Sequence, residues 1–205
     1  MNQSISNFFL KLSNITVIRG KSVVFSKFNI KFFYNKINVL SGKNGVGKTT
    51  LLRTISGLII PNSGKITWEN NLNNHINYVS HFNGLSPSLT VKENIENWLN
   101  LFNINADIKK ILSYFNLELL INKKVNELSE GQKKKVSLSR LFINDRKVWV
   151  LDEPYESLDE SSKIMLSKFF LKHINNDGVL IISSNQNIGN ISQDKLNIIQ
   201  LNSSL

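Results

Sequence analysis

The nine residues GKNGVGKTT, Gly42 to Thr50, stand one residue after the apolar run KINVL, with Ser41 between, and directly before LLRTISG, whose apolar positions recur at helical spacing. Gly-x-x-x-x-Gly-Lys-Thr between a strand and a helix constrains the fold more than any other feature of the chain. Glycines at 42, 45 and 47 let successive backbone N–H groups turn inward, and a helix beginning near Lys48 adds the positive end of its dipole. Such a cradle suits phosphate oxygens, with Lys48 reaching β- and γ-phosphates and the Thr49 hydroxyl ligating Mg²⁺. Gly42, Lys43, Asn44, Gly45, Val46, Gly47, Lys48, Thr49 and Thr50 are therefore candidate contacts for a nucleoside triphosphate.

A triphosphate loop needs a second group for the metal, and KVWVLDEP supplies it. Its apolar strand ends in Asp152 and Glu153, and ligands of an open α/β sheet sit at the carboxyl ends of the strands. Asp152 is a candidate Mg²⁺ ligand, directly or through water, and Glu153 the candidate base that orients and deprotonates an attacking water. Two acids before Pro154 also begin an ordinary turn; the phosphate loop upstream is what gives them a function.

Further apolar runs recur with helical stretches between them. SVVFSKFNIKFF alternates apolar and polar, while INYVS, KVWVL and GVLII are short, mostly apolar runs suited to buried strands. The pattern predicts an α/β fold with a largely parallel sheet and an antiparallel portion near the N-terminus. From Thr90 to about Asn122 the period is helical, with Thr90 and Glu93 spaced as a capping box. This stretch reads as a mostly helical insertion.

The third element is LSEGQKKKVSLSRLF, Leu128 to Phe142, which opens a helix about one strand before Asp152. A helix N-terminus offers Ser129 and the Gly131 backbone to a phosphate. The stretch resembles the signature motif of ABC ATPases, and the phosphate loop, signature and acidic pair occur in that family's order and spacing. The resemblance covers nearly the whole chain. ESLDE, with Leu158 and Asp159, resembles the family's D-loop, and GLIIPNSGKI its strand-joining stretch after the phosphate loop. It implies a P-loop NTPase fold of the ABC ATPase type over residues 1–205, with a helical signature subdomain at about 82–142.

The resemblance also implies ATP and Mg²⁺ as cofactors, ATP hydrolysis, and a head-to-tail homodimer when ATP is bound. In that dimer Ser129, Gly131 and Gln132 face the nucleotide of the opposite copy. Glu130 stands where the family usually has a small residue, a change expected to be tolerated because Ser129 and Gly131 are kept. His81 occupies the family's Gln-loop position and is expected to face Mg²⁺ or water. Arg19 aligns with the aromatic that stacks on adenine, a place a guanidinium can take by cation–π contact. In LIISSNQ, Asn185 stands at the switch-histidine position, followed by Gln186; an amide donates a hydrogen bond but carries no proton or positive charge. Hydrolysis is therefore expected to be slow or confined to a regulated step.

Composition narrows the partners. Zero cysteines exclude disulfide frameworks, thiolate metal sites and cysteine nucleophiles. No apolar run is long enough to span a bilayer, and the N-terminal stretch lacks the pattern of a cleaved leader, so a soluble, unprocessed chain is expected. A net charge of +10 invites nucleic acid, yet the basic residues read as spread singly and the Lys133–Lys135 run as a solvated helix face, so no nucleic-acid partner is expected. A subunit docking onto a separate integral membrane subunit is the natural reading. His81, Arg19, Asn185 and Gln186 together resemble the ATP-binding subunits of cytochrome c maturation haem export complexes. That resemblance implies a peripheral place on the cytoplasmic face of a bacterial inner membrane, or the matrix side of a mitochondrial one. Direct haem binding is not expected. The alternatives are an ATP-dependent clamp that hydrolyses little, and an ABC subunit serving another substrate.

Overall fold

The computed structural model describes residues 7–143, 146–185, 188 and 191–202. Two sheets form it. The first is antiparallel, with β1 (Phe8–Arg19) between β2 (Ser22–Phe33) and β4 (Ser63–Trp68). The second is parallel, in the order β5 (Ile76–Val79), β6 (Val148–Leu151), β7 (Val179–Ser183), β3 (Ile37–Ser41), β8 (Leu196–Gln200). This is the mostly parallel core with an N-terminal antiparallel portion expected from the sequence.

The central strands read as unbroken apolar runs because both faces are covered. Val148, Val150 and Ile181 face a core shared with the antiparallel sheet and with Leu51, Leu52 and Ile55 of α1 (Lys48–Ile55). Trp149, Leu151, Leu180 and Ile182 face a second core, built with the helices on the other side of the sheet. The one polar residue inside β3, Asn38, is fully buried and satisfied: its amide accepts from Phe33 N at 2.9 Å and donates to the Leu180 carbonyl at 3.1 Å.

The helical stretch is shorter in its pieces than its period predicts. α2 (Val91–Phe102) starts with the expected capping box, Thr90 Oγ1 accepting from Glu93 N and Glu93 Oε2 accepting from Thr90 N. It stops at Asn103, which adopts φ 55° and closes the helix in the left-handed conformation that asparagine tolerates. A second helix, α3 (Ile108–Ser113), follows behind an Asp107 cap, and the chain then continues through a 3-10 turn at Glu118–Leu120. α4 (Glu130–Ser139) and α5 (Glu160–Asn175) complete the set of α-helices among the described residues. No helix among those residues is long and apolar enough to cross a membrane.

Candidate active site

The phosphate loop joins β3 to α1 at the carboxyl end of the parallel sheet. Gly47 caps α1 with φ 107°, and a Cβ there would stand 2.7 Å from Val24 Cγ1 on β2. Only glycine lets the loop close this tightly against the antiparallel sheet. The loop is one wall of a cleft of about 520 Å³, lined by Asn44, Gly45, Gly47, Lys48, Thr49, Thr50, His81, Glu153, Glu156 and Asn185.

Lys48 projects from the first turn of α1 and is only 7% exposed. Its ammonium donates to the Gly42 carbonyl at 2.8 Å, the Lys43 carbonyl at 3.4 Å and Asn185 Oδ1 at 2.6 Å, and stands 3.6 Å from Glu153 Oε1. Three ammonium protons thus meet four oxygens. A phosphate entering the cleft competes for them.

Thr49 and Asp152 meet directly, Thr49 Oγ1 donating to Asp152 Oδ2 at 2.7 Å. The other carboxylate oxygen accepts from Ser183 Oγ at 2.6 Å, and the same hydroxyl accepts from Glu153 N at 2.8 Å. Ser183 therefore clamps both acids from the end of β7. The sequence reading gave it no role; the signal was a buried strand ending in a hydroxyl. Glu153 itself adopts φ 47°, a backbone state that costs a non-glycine residue of order 1 kcal/mol. That turn brings Glu153 Oε2 to within 3.3 Å of Asn185 N at the cleft wall.

The remaining candidates divide. His81 lines the cleft, with Nδ1 3.0 Å from Glu156 Oε2, a pairing invisible to the sequence because Glu156 comes from beyond β6. Arg19 lies exposed at the β1–β2 hairpin and is not among the residues lining the cleft. Ser129, Gly131 and Gln132 lie outside it too. Ser129 caps α4, and Gln132 Oε1 accepts from Ser129 N at 3.0 Å to close a second capping box. Gln186 lies outside the described residues.

The Lys133–Lys135 run is not the solvated face expected. Lys134 is buried, and its ammonium reaches the Asp152 carbonyl at 3.4 Å. Burial pushes its pKa below the usual lysine range, against the opposing pull of Glu156, Asp152 and Glu153. Lys135 pairs with Asp159 Oδ2 at 3.0 Å, and Lys133 with Glu130 at 2.7 Å. The period of α4 turns its middle lysine onto the acidic pair, so the signature helix is tied to the cleft from behind. Arg140 extends the tie, donating to the Tyr78 carbonyl at 2.7 Å, with burial lowering its pKa to about 10.

A phosphate loop after β3, an acidic pair after β6 with β7 between the two strands, and a capped signature helix held behind them define the class: a P-loop ATPase of the ATP-binding-cassette type. The chain belongs to the ABC transporter family, whose model matches residues 25–156. It is similar to the cytochrome c biogenesis ATP-binding export protein CcmA of Shewanella oneidensis, 32% identical over 94% of this chain and 93% of that one. The protein of the same name from Rickettsia conorii is 35% identical over 76% of this chain and 84% of its own. Among solved structures, an ATP-binding cassette in a dimeric post-hydrolysis state bound to ADP and Pi superposes with a TM-score of 0.80, covering 95% of this chain and 94% of that one at 24% identity. That likeness concerns the fold.

Proposed function

We propose that this chain is the ATP-hydrolysing subunit of an export complex serving cytochrome c biogenesis, with haem export as the process it drives. The ATPase reading is carried by the convergence of Lys48, Thr49, Asp152, Glu153 and Asn185 on one cleft. The biogenesis role is supported by relatives of that name over most of the chain.

In this reading the backbone of Gly42 to Gly47, with Lys48, Thr49 and Thr50, holds the triphosphate. Glu153 accepts a proton from the attacking water, whose oxygen bonds to the γ-phosphorus as the bond to ADP breaks. Asn185 donates to the γ-phosphate through its amide, and His81 stands at the cleft wall towards Mg²⁺ or water. Thr49 and Asp152 are the residues that would hold Mg²⁺. A hydroxyl and one carboxylate 2.7 Å apart suit a hard cation that takes its other ligands from phosphates and water. When bound, the ion neutralises charge on the phosphates.

Arg19 stacks on adenine from the hairpin. Ser129, Gly131 and Gln132 complete the site of a second copy in a head-to-tail dimer, in keeping with their position outside their own chain's cleft. The membrane partner is an integral subunit of the complex, met on the cytoplasmic face of a bacterial inner membrane or the matrix side of a mitochondrial one. Neither haem nor nucleic acid is bound directly. A clamp with little hydrolysis is the second reading, favoured by the uncharged Asn185 where a titratable group would serve turnover.

The test is steady-state ATP hydrolysis with and without the detergent-solubilised membrane partner, beside Lys48→Ala and Glu153→Gln. Lys48→Ala is expected to abolish ATP binding, and Glu153→Gln to trap an ATP-bound dimer. Normal affinity in the first, or wild-type turnover in the second, overturns the assignment. Tight binding without turnover in either setting establishes the clamp.

A further inference from the structure

The whole net charge of the chain lies in its first third. Ten Lys and Arg residues precede Glu69, the first acid, and residues 69–205 carry fifteen charges of each sign. The basic excess is therefore concentrated along the sequence and not spread singly as expected.

The fold gathers part of the excess on the outward face of the antiparallel sheet. Lys11 on β1 stands directly opposite Lys31 on β2. Lys65 on β4, paired with Ser13, takes the diagonal position on the other side of Lys11. All three are exposed, and the burial of Leu10 and Leu12 on either side of Lys11 fixes the outward direction. None of the three forms an ion pair among the described residues; Lys31 lies 4.9 Å over the Phe8 ring instead. Like charges directly opposite across a sheet are destabilising, and no ion pair among the described residues offsets them.

We propose that this lysine face binds the anionic headgroup layer of a phospholipid bilayer. The choice of lipid rests on the proposed function, a subunit docked on an integral membrane partner, and not on the chemistry of the cleft. Flexible, strongly hydrated ammonium groups spread over three strands suit a delocalised anionic surface better than a single defined phosphate. The apolar company points the same way. At the hairpin tip Ile18 faces Val23, 42% and 52% exposed, flanked by Arg19 and Lys21. Ile60, 88% exposed, is held beside them because Asn62 bonds to both Ile18 N and the Thr16 carbonyl at 2.8 Å. Aliphatic side chains ringed by basic ones enter an interfacial layer, whereas strand-binding surfaces present aromatic rings for bases to stack on.

The experiment is flotation of the full chain with vesicles of phosphatidylcholine containing about one third phosphatidylglycerol, and with phosphatidylcholine alone. The anionic vesicles are expected to bind the protein in a salt-sensitive way. The K11Q/K31Q/K65Q variant should lose roughly 10²-fold in partitioning, at about 1 kcal/mol per lysine, while its ATP turnover without membranes stays at the wild-type rate. K109Q/K110Q/K172Q, which removes the same charge from exposed helical positions, should bind as wild type does. Undiminished binding by the first variant, or equal loss by both, overturns the proposal. Tighter binding to an oligonucleotide duplex than to vesicles at matched phosphate and salt reassigns the face to nucleic acid and overturns it equally.

Discussion

The ammonium of Lys48 and the side-chain oxygen of Asn185 lie 2.6 Å apart, joining the start of α1 to the end of β7 across 137 residues of chain. The same amide donates from Nδ2 to Asn44 Oδ1 at 2.5 Å, so Asn185 spans the phosphate loop from its tip to its lysine. A residue in this position touches the tip of the loop and its lysine together.

Asn185→Ala is expected to lower kcat by about 10²-fold, the cost of a lost transition-state donor, with little change in KM for ATP. Asn185→His should turn over at least as fast as wild type. Steady-state kinetics of the pair decides it, and an unchanged kcat in the alanine variant removes Asn185 from the chemistry.

Ser183→Ala leaves Asp152 Oδ1 without its donor and Glu153 N without its acceptor, both at a buried strand end. The expected cost is about 1–3 kcal/mol of stability for the orphaned groups. It should also raise the Mg²⁺ concentration needed for half-maximal turnover, because the Asp152 carboxylate is then free to rotate. Denaturant titration and a Mg²⁺ titration measure the two effects. Ser183→Thr, which keeps the hydroxyl, should restore the second.

Gly131 packs its α-carbon against the turn that leads into α5. A Cβ there would lie 2.6 Å from the Ser157 carbonyl oxygen, so an alanine must push the signature helix and that turn apart. Gly131→Ala is expected to destabilise by about 1–3 kcal/mol and to weaken ATP-driven dimerisation in the Glu153→Gln background. Thermal unfolding and size-exclusion chromatography with ATP report on each. A dimer of undiminished stability would place this contact outside the interface.

His173 stacks on Trp149 with ring centroids 3.7 Å apart and planes 8° from parallel, and burial lowers its pKa to about 4. The folded state thus disfavours the imidazolium, and the unfolded chain, titrating near 6.5, binds the extra proton first. The stabilising contribution is full above pH 6.5 and falls away as pH drops towards 4, by up to about 3 kcal/mol. Urea unfolding between pH 4 and 7 should show this slope, and His173→Phe should flatten it.

The sequence by itself determined the motifs from which the cleft and the helix behind it are built. Phosphate loop, acidic pair and signature helix are contiguous motifs, because a backbone cradle, a strand end and a helix N-terminus are each built from neighbouring residues. The parallel strands were legible for the same reason: strands covered on both faces must be apolar throughout, as VWVL and VLII are. The edge strands β4 and β8 left fainter traces, since half-exposed edges tolerate mixed residues and the second residue of β4 is Gly64, where the backbone of Asn14 approaches too closely for a side chain. Only the tertiary structure decided which distant groups meet. It set Ser183 between Asp152 and Glu153, turned Lys134 inward onto the acidic pair, paired His81 with Glu156, and laid Lys11, Lys31 and Lys65 on one outward face. These relationships follow from strand order, register and helix rotation. Those are fixed by burying two apolar cores at once, and no local stretch of sequence encodes which residues they bring together.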